Sequence, residues 1–185
     1  MRMLPVIALM GLICGCASAG PDFSAQPPRE AWIVNTQGAP VGQARFQEGP
    51  EGVLIHLEFS AGALPPGWHG MHIHKKGDCA DAADGFRDSS SHAQAHEGAT
   101  HGLLNPEGPE AGDLPNLFAP TAGPFAAEAF SPWLTLDPMG AEDRASLLDE
   151  DGAALVIHAG PDDHVTQPIG GAGARIACAA LTRAP

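Results

Sequence analysis

Basic residues are scarce in this chain. Nine Lys and Arg stand against 22 Asp and Glu, a formal net charge of −13. So acidic a surface repels phosphate backbones, which excludes nucleic acid as a partner. Charge of either sign is limited, at 17% of residues against 44% hydrophobic, a balance that builds a core and excludes a disordered chain. Heptads, internal repeats and basic amphipathic helices are also missing. Instead, short apolar runs are broken by turn residues, with 23 Gly and 18 Pro in all. That pattern favours an all-β protein over a helical one. The glycines of GGAGAR, 170–175, precede a strand-like segment and lack the nucleotide fingerprint's spacing, so they read as a turn. At 185 residues there is room for one domain and a leader.

No apolar run is long enough to span a bilayer. The opening MRMLPVIALMGLICGC holds one Arg, a short apolar stretch and then small residues, the pattern of an export signal. Ile13-Cys14-Gly15-Cys16 looks like a bacterial lipobox, in which residues 1–15 are removed and Cys16 carries lipid. Ordinary cleavage after Ala17-Ser18-Ala19 is the alternative. Residues 16–30, rich in Pro, Ser and Ala, read as a flexible tether, and 31–185 as the folded domain. The expected location is the cell envelope or periplasm, with the membrane reached only through the lipid anchor.

Cysteines number only four. Cys14 leaves with the signal and Cys16 takes the lipid. Cys79 and Cys178 remain as a pair that an oxidising compartment bridges. The loop so closed is about 100 residues, worth roughly 4–5 kcal/mol in the chain-entropy account.

The strand-like pieces are AWIVNT, QARFQEG, GVLIHLEFS, WHGMHIHKK, PFAAEAF, SPWLTL, AALVIHAG and ARIACAAL. In the third, Val53, Ile55, Leu57 and Phe59 alternate with Leu54, His56 and Glu58, the period of a strand with one buried face. From Gly77 to Asn116 the pattern dissolves into a polar stretch of about forty residues, a length a compact domain keeps only where it is functional and tied down.

Three of the nine histidines crowd into WHGMHIHKKGDC, 68–79. In a strand, residues i and i+2 share a face with α-carbons about 6–7 Å apart, so His72 and His74 can reach one metal ion. His69 faces elsewhere and reads as a structural histidine bonded to backbone. The polar loop adds His92, His96, His101, Glu110 and Asp113, and His158 ends the run ALVIH. Imidazoles with a carboxylate suit zinc or copper, where calcium wants oxygen. His56, on a polar strand face, reads as solvated, and His164 as part of an exposed turn.

HGMHIHKKGDC, HGLLNPEGPEAGDLPN, ALVIHAGPDDH and GGAGARIAC occur in an order similar to that of bacterial exported copper/zinc superoxide dismutases. The chain resembles that family over most of residues 50–181. The resemblance implies a Greek-key β-sandwich or flattened barrel with long metal-binding loops. It implies copper held by His72, His74, His92 and His158, with His92 bridging to zinc. His101 and Asp113 match further zinc ligands. Asp162 matches the carboxylate that links a copper histidine to a zinc histidine. Arg175 matches the cation beside the open copper position, and Cys79–Cys178 the family disulfide.

Two departures stand out. Where the family has a third zinc histidine this chain has Glu110; a carboxylate is an accepted zinc ligand, so the site is either His92, His101, Glu110 and Asp113 or is lost. The segment SSSHAQAHEGATHG lacks the family's surroundings of the bridging histidine. His92 is placed by its spacing of nine residues from His101, and His96 is the alternative. The activity implied is disproportionation of superoxide, with Arg175 docking the anion and His92 handling a proton. A non-catalytic copper-binding envelope lipoprotein with a degenerate zinc site is the rival, and a homodimer is left open.

Overall fold

Among the described residues, short apolar runs alternating with turns become eleven strands, β1 (Arg29–Asn35), β2 (Pro40–Gly49), β3 (Gly52–Phe59), β4 (Gly67–His69), β5 (Met71–His74), β6 (Leu117–Ala119), β7 (Phe125–Ser131), β8 (Leu134–Thr135), β9 (Ala145–Ser146), β10 (Ala153–His158) and β11 (Arg175–Leu181). The computed structural model describes residues 27–183. The expected export signal, Cys16 and most of the expected tether lie outside the described residues. Arg29 and Glu30 open β1 and pair with Phe46 and Arg45 of β2.

Seven strands form one antiparallel sheet in the order β5-β10-β11-β1-β2-β3-β7. The sheet curls around its core as a half-barrel. In β3 the alternation holds: Val53, Ile55, Leu57 and Phe59 are buried, while Leu54 and Glu58 are exposed. Phe46, Ile73, Leu155 and Ile157 complete the same core from β2, β5 and β10. Each such side chain contributes about 1.5–3 kcal/mol by leaving water.

WHGMHIHKK is not one strand. It divides at Gly70, whose amide donates to Gly160 and whose carbonyl accepts from the His158 amide, so β4 pairs with β6 while β5 pairs with β10.

The long polar loop is tied down as expected. Cys79 and Cys178 form a disulfide with α-carbons 5.9 Å apart. Beside it two 3-10 turns, Ala82–Asp84 and Arg87–Ser89, fold the loop onto the sheet. There Phe86, fully buried, packs with Ala82, Ala154, Val156 and Cys178 in a second small core. This explains why all six residues of β10 are buried: one face meets the main core, the other this loop.

Candidate metal centre

The site is hung on the free edge of β5. Within that strand, Met71 and Ile73 enter the core and His72 and His74 face away. Ile73 then makes two backbone bonds outward: its amide donates to Gly112 O at 2.8 Å, and its carbonyl accepts from Ala93 N at 2.8 Å. Gly112 N closes the triangle onto Ala93 O at 2.9 Å. The flanking residues fall into register as the bridges His74–His92 and His72–Asp113. Position 112 must be glycine, since a Cβ there would lie 2.1 Å from Ile73 O. His158 arrives at the end of β10, at a register shift between Ile157 and His158 that re-aims its ring.

Six buried side-chain polar atoms have no hydrogen-bond partner among the described residues. Four of them are His72 Nδ1, His74 Nε2, His92 Nε2 and His158 Nε2. Those four rings form a group whose ligating atoms lie within 4.8 Å of one another. In each ring the other nitrogen is engaged: His72 Nε2 with Asp162 Oδ2 at 2.8 Å, His74 Nδ1 with Ser90 O at 2.8 Å, His158 Nδ1 with Gly173 O at 2.9 Å, and His92 Nδ1 with Glu110 Oε2 at 2.8 Å. Burying four unsatisfied nitrogens costs about 1–3 kcal/mol each unless something takes their lone pairs. A soft-to-borderline ion such as copper fits that donor set. Burial lowers the His74 ring to about 2 and His158 to about 3, and lowers His72 against the pull of Asp162. These three rings therefore stay neutral at physiological pH, with lone pairs available.

The second group has the opposite electrostatics. His101 Nδ1 lies 2.6 Å from Asp113 Oδ1, and His92 Nδ1 lies 3.3 Å from the same oxygen. Asp113 Oδ2 accepts from the amides of Gly102 at 2.7 Å and Glu110 at 3.0 Å. His72, His92, His101 and Asp113 form the compact cluster here. His72 belongs to it by proximity alone, because its Nε2 donates to Asp162 and its Nδ1 faces the first group. Glu110 stands beside the cluster against His92. Burial disfavours a charged ring, but the carboxylates outweigh it, raising His92 and carrying His101 to about 10. Asp113 is held well below the usual carboxylate range, since hydrogen bonds from His101 and His92 overcome its burial. Positive charge is thus favoured where a dication would sit, and imidazole with carboxylate is a donor set that fits zinc. Asp162 spans both groups, its Oδ1 3.1 Å from His101 Nε2.

A pH dependence follows for the metal-free protein. The raised folded value of His101 stabilises the fold fully below its ordinary 6.5, and that contribution is lost as pH rises toward about 10. The lowered His74 and His158 act at the other end: below 6.5 the unfolded chain takes up protons that the fold refuses, so stability falls toward about 3. The urea midpoint of chelator-stripped protein should therefore decline on both sides of a near-neutral optimum. A flat profile from pH 7 to 10 would contradict the His101 assignment.

Arg175 is anchored by the loop that the disulfide pins. Its Nη1 donates to Phe86 O at 2.6 Å and Ser89 Oγ at 3.1 Å, and its Nη2 to Ser90 O at 2.7 Å. It lines a cavity of about 360 Å³ with His74, His92, Glu110 and Arg87. A larger hollow of about 470 Å³ lies on the outer sheet face, away from both groups. It holds His56, which is not simply solvated: its ring lies 3.2 Å from Glu128 and 3.3 Å from Glu58, and these carboxylates raise its pKa.

Of the remaining histidines, His69 lies between the carbonyls of His158 and Pro65, 2.7 Å from each. His96 is exposed, 3.1 Å from Asp143, and is not gathered with the rings of either group. His164 is not on an exposed turn. It is half-buried at φ 61°, its amide donates to Asp162 Oδ1 at 2.6 Å, and Asn116 Nδ2 lies 3.2 Å from its ring. Sequence reasoning missed Asn116, which exchanges two backbone hydrogen bonds with Asp162, and Gln167, which does the same with His101. Amides that hold backbone across 46 and 66 positions leave no local pattern to find.

Residues 40–181 match the family model for copper/zinc superoxide dismutase (SODC). The Caulobacter vibrioides protein named superoxide dismutase [Cu-Zn] is 47% identical over 144 residues, covering 78% of this chain and 79% of that one. Superoxide dismutase [Cu-Zn] 2 of Aquifex aeolicus is 40% identical over 86% of this chain and 90% of its own length. Among solved structures, a double mutant of a superoxide-dismutase-like protein from Bacillus subtilis gives a TM-score of 0.75 at 37% identity, covering 83% of this chain and 96% of that one. The Brucella abortus Cu/Zn superoxide dismutase gives 0.62 at 28%, covering 84% and 99%. With two buried imidazole groups sharing His92 and a matching sequence on either side of them, this chain belongs to the copper/zinc superoxide dismutase family.

Proposed function

We propose that the chain disproportionates superoxide at copper held by His72, His74, His92 and His158, with zinc held by His92, His101, Asp113 and Glu110. The observation that carries this reading is the convergence of four orphaned imidazole nitrogens beside a cavity that Arg175 lines. Bound copper supplies one-electron cycling, so that two superoxide ions and two protons yield dioxygen and hydrogen peroxide. Arg175 docks and orients the anion by charge-assisted hydrogen bonding. Its three bonds to the loop fix the guanidinium before substrate arrives. In an acidic protein this local cation, together with Arg87 on the same cavity, focuses positive potential where the net charge opposes it. His92 would ligate copper through Nε2 and, once released from it, could take up a proton there and hand it to the reduced oxygen species, while its Nδ1 stays tied to the second group. Asp162 keeps the His72 ring in its Nε2–H form.

Export is part of this reading. The disulfide belongs to an oxidising compartment, which supports a periplasmic or envelope location. Lipidation at Cys16 would anchor it; Cys16→Ser should release the protein from the membrane fraction, and unchanged partition refutes the anchor.

The test measures metal content and superoxide turnover on one reconstituted sample. One copper and one zinc per chain with fast turnover are expected. Arg175→Met should lower kcat/KM by roughly 10–100-fold, the equivalent of a hydrogen bond to a charged group worth about 1.5–3 kcal/mol, with copper content unchanged. Copper bound without turnover, restored by Glu110→His, would instead make this a copper-binding protein with a degenerate zinc site.

A further inference from the structure

We propose that Gln94 is a positioning residue for the second metal group: it occupies one oxygen of Glu110 so that the carboxylate presents the other, as an imidazole presents a single lone pair. This rests on the reading of Glu110 as a zinc ligand. Gln94 Nε2 donates to Glu110 Oε1 at 2.6 Å, while Glu110 Oε2 lies 2.8 Å from His92 Nδ1. The two oxygens are therefore already divided between the amide and the metal position.

The backbone arranges this. His92 and Gln94 are i and i+2 around Ala93, whose amide and carbonyl are both held, by Ile73 O and Gly112 N. In such an extended segment the two side chains leave on the same side, so both reach Glu110. The orientation of the Gln94 amide is fixed by chemistry as well. Its Nε2 also donates to Ala99 O at 3.2 Å, and the flipped amide would set its oxygen against both a carboxylate and a carbonyl oxygen.

The pairing answers a difficulty that a glutamate brings. A closed zinc site is four-coordinate, and an imidazole can contribute only one atom. A carboxylate offers two and can bind a cation through both. Holding Oε1 in a hydrogen bond removes that option and draws off part of the additional negative charge. Partners of this kind are typically worth 10–100-fold in metal affinity.

The experiment uses the full chain with Zn²⁺ or Co²⁺ as the probe ion. Zn²⁺ affinity is read by chelator competition, and the coordination of Co²⁺ by the intensity of its visible absorption, which weakens when a fifth donor is added. Gln94→Met, which keeps the length and removes the donor, should weaken Zn²⁺ binding roughly 10-fold and reduce the Co²⁺ intensity. In a Glu110→His background the same change should do neither. An equal loss in both backgrounds would make Gln94 merely structural and overturn the proposal. So would Gln94→Met with no effect while Glu110→Ala alters both readouts. If Glu110→Ala itself leaves Zn²⁺ affinity and the Co²⁺ spectrum unchanged, the reading of Glu110 as a ligand fails, and the proposal with it.

Discussion

Replacing both Cys79 and Cys178 by alanine is expected to lower folding stability by about 4–5 kcal/mol, against a total of about 5–15 kcal/mol for a domain of this kind. The bridge spans 99 positions, so the unfolded chain regains most of the freedom that a long loop closure removes. What it secures in the fold is specific. The 82–90 segment supplies every carbonyl that anchors Arg175, and Arg175 lies three residues before Cys178 on β11. Losing the bridge should therefore also lower kcat/KM for superoxide in whatever fraction remains folded. The check is a urea titration of the double variant beside the parent, both metal-loaded. A change below about 1 kcal/mol would mean that the Phe86 cluster alone pins the loop.

Asp162→Ala is expected to weaken zinc binding by 10–100-fold, and copper binding by less. Asp162 is buried at 3% exposure, accepts from His72 Nε2 and meets His101 Nε2, so one carboxylate orients a ring in each group. The consequences are unequal. His72 supplies one of four nitrogens in the first group, and of the others His74 and His158 are preset by backbone carbonyls and His92 by Glu110. His101 depends on two carboxylates for its orientation, and one of them is Asp162. Hydrogen bonds from both rings, outweighing its burial, hold Asp162 well below the usual carboxylate range, so it remains a charged acceptor across the useful pH span. Chelator competition for each ion in turn decides the matter. Equal losses at the two groups, or none at zinc, would sink the argument.

Much of this was legible in the residues. The alternation of Val53, Ile55, Leu57 and Phe59 placed β3 because sheet burial has a period of two, and the i, i+2 spacing of His72 and His74 put both on one face for the same reason. The forty-residue polar stretch announced a tied-down loop. What was illegible depends on contacts distant in sequence. β6 and β9, of three and two residues, exist only because β4 and β8 lie beside them. The break at Gly70 is caused by the 158–160 segment crossing over it. His164 looked like a turn residue because its role runs through its own amide, which any residue possesses. Gln94 was one more polar residue in a loop until the fold brought Glu110 to it.

The backbone triangle of Ile73, Ala93 and Gly112 has a further consequence. β5 is the last strand of the seven-stranded sheet, and its outer side is a row of amide and carbonyl groups able to recruit another chain. The segments that carry His92 and Asp113 lie along that row and take up its hydrogen bonds. Whatever holds those loops in place also shields the sheet from edge-to-edge association, so in this protein metal retention and resistance to aggregation rest on the same few bonds.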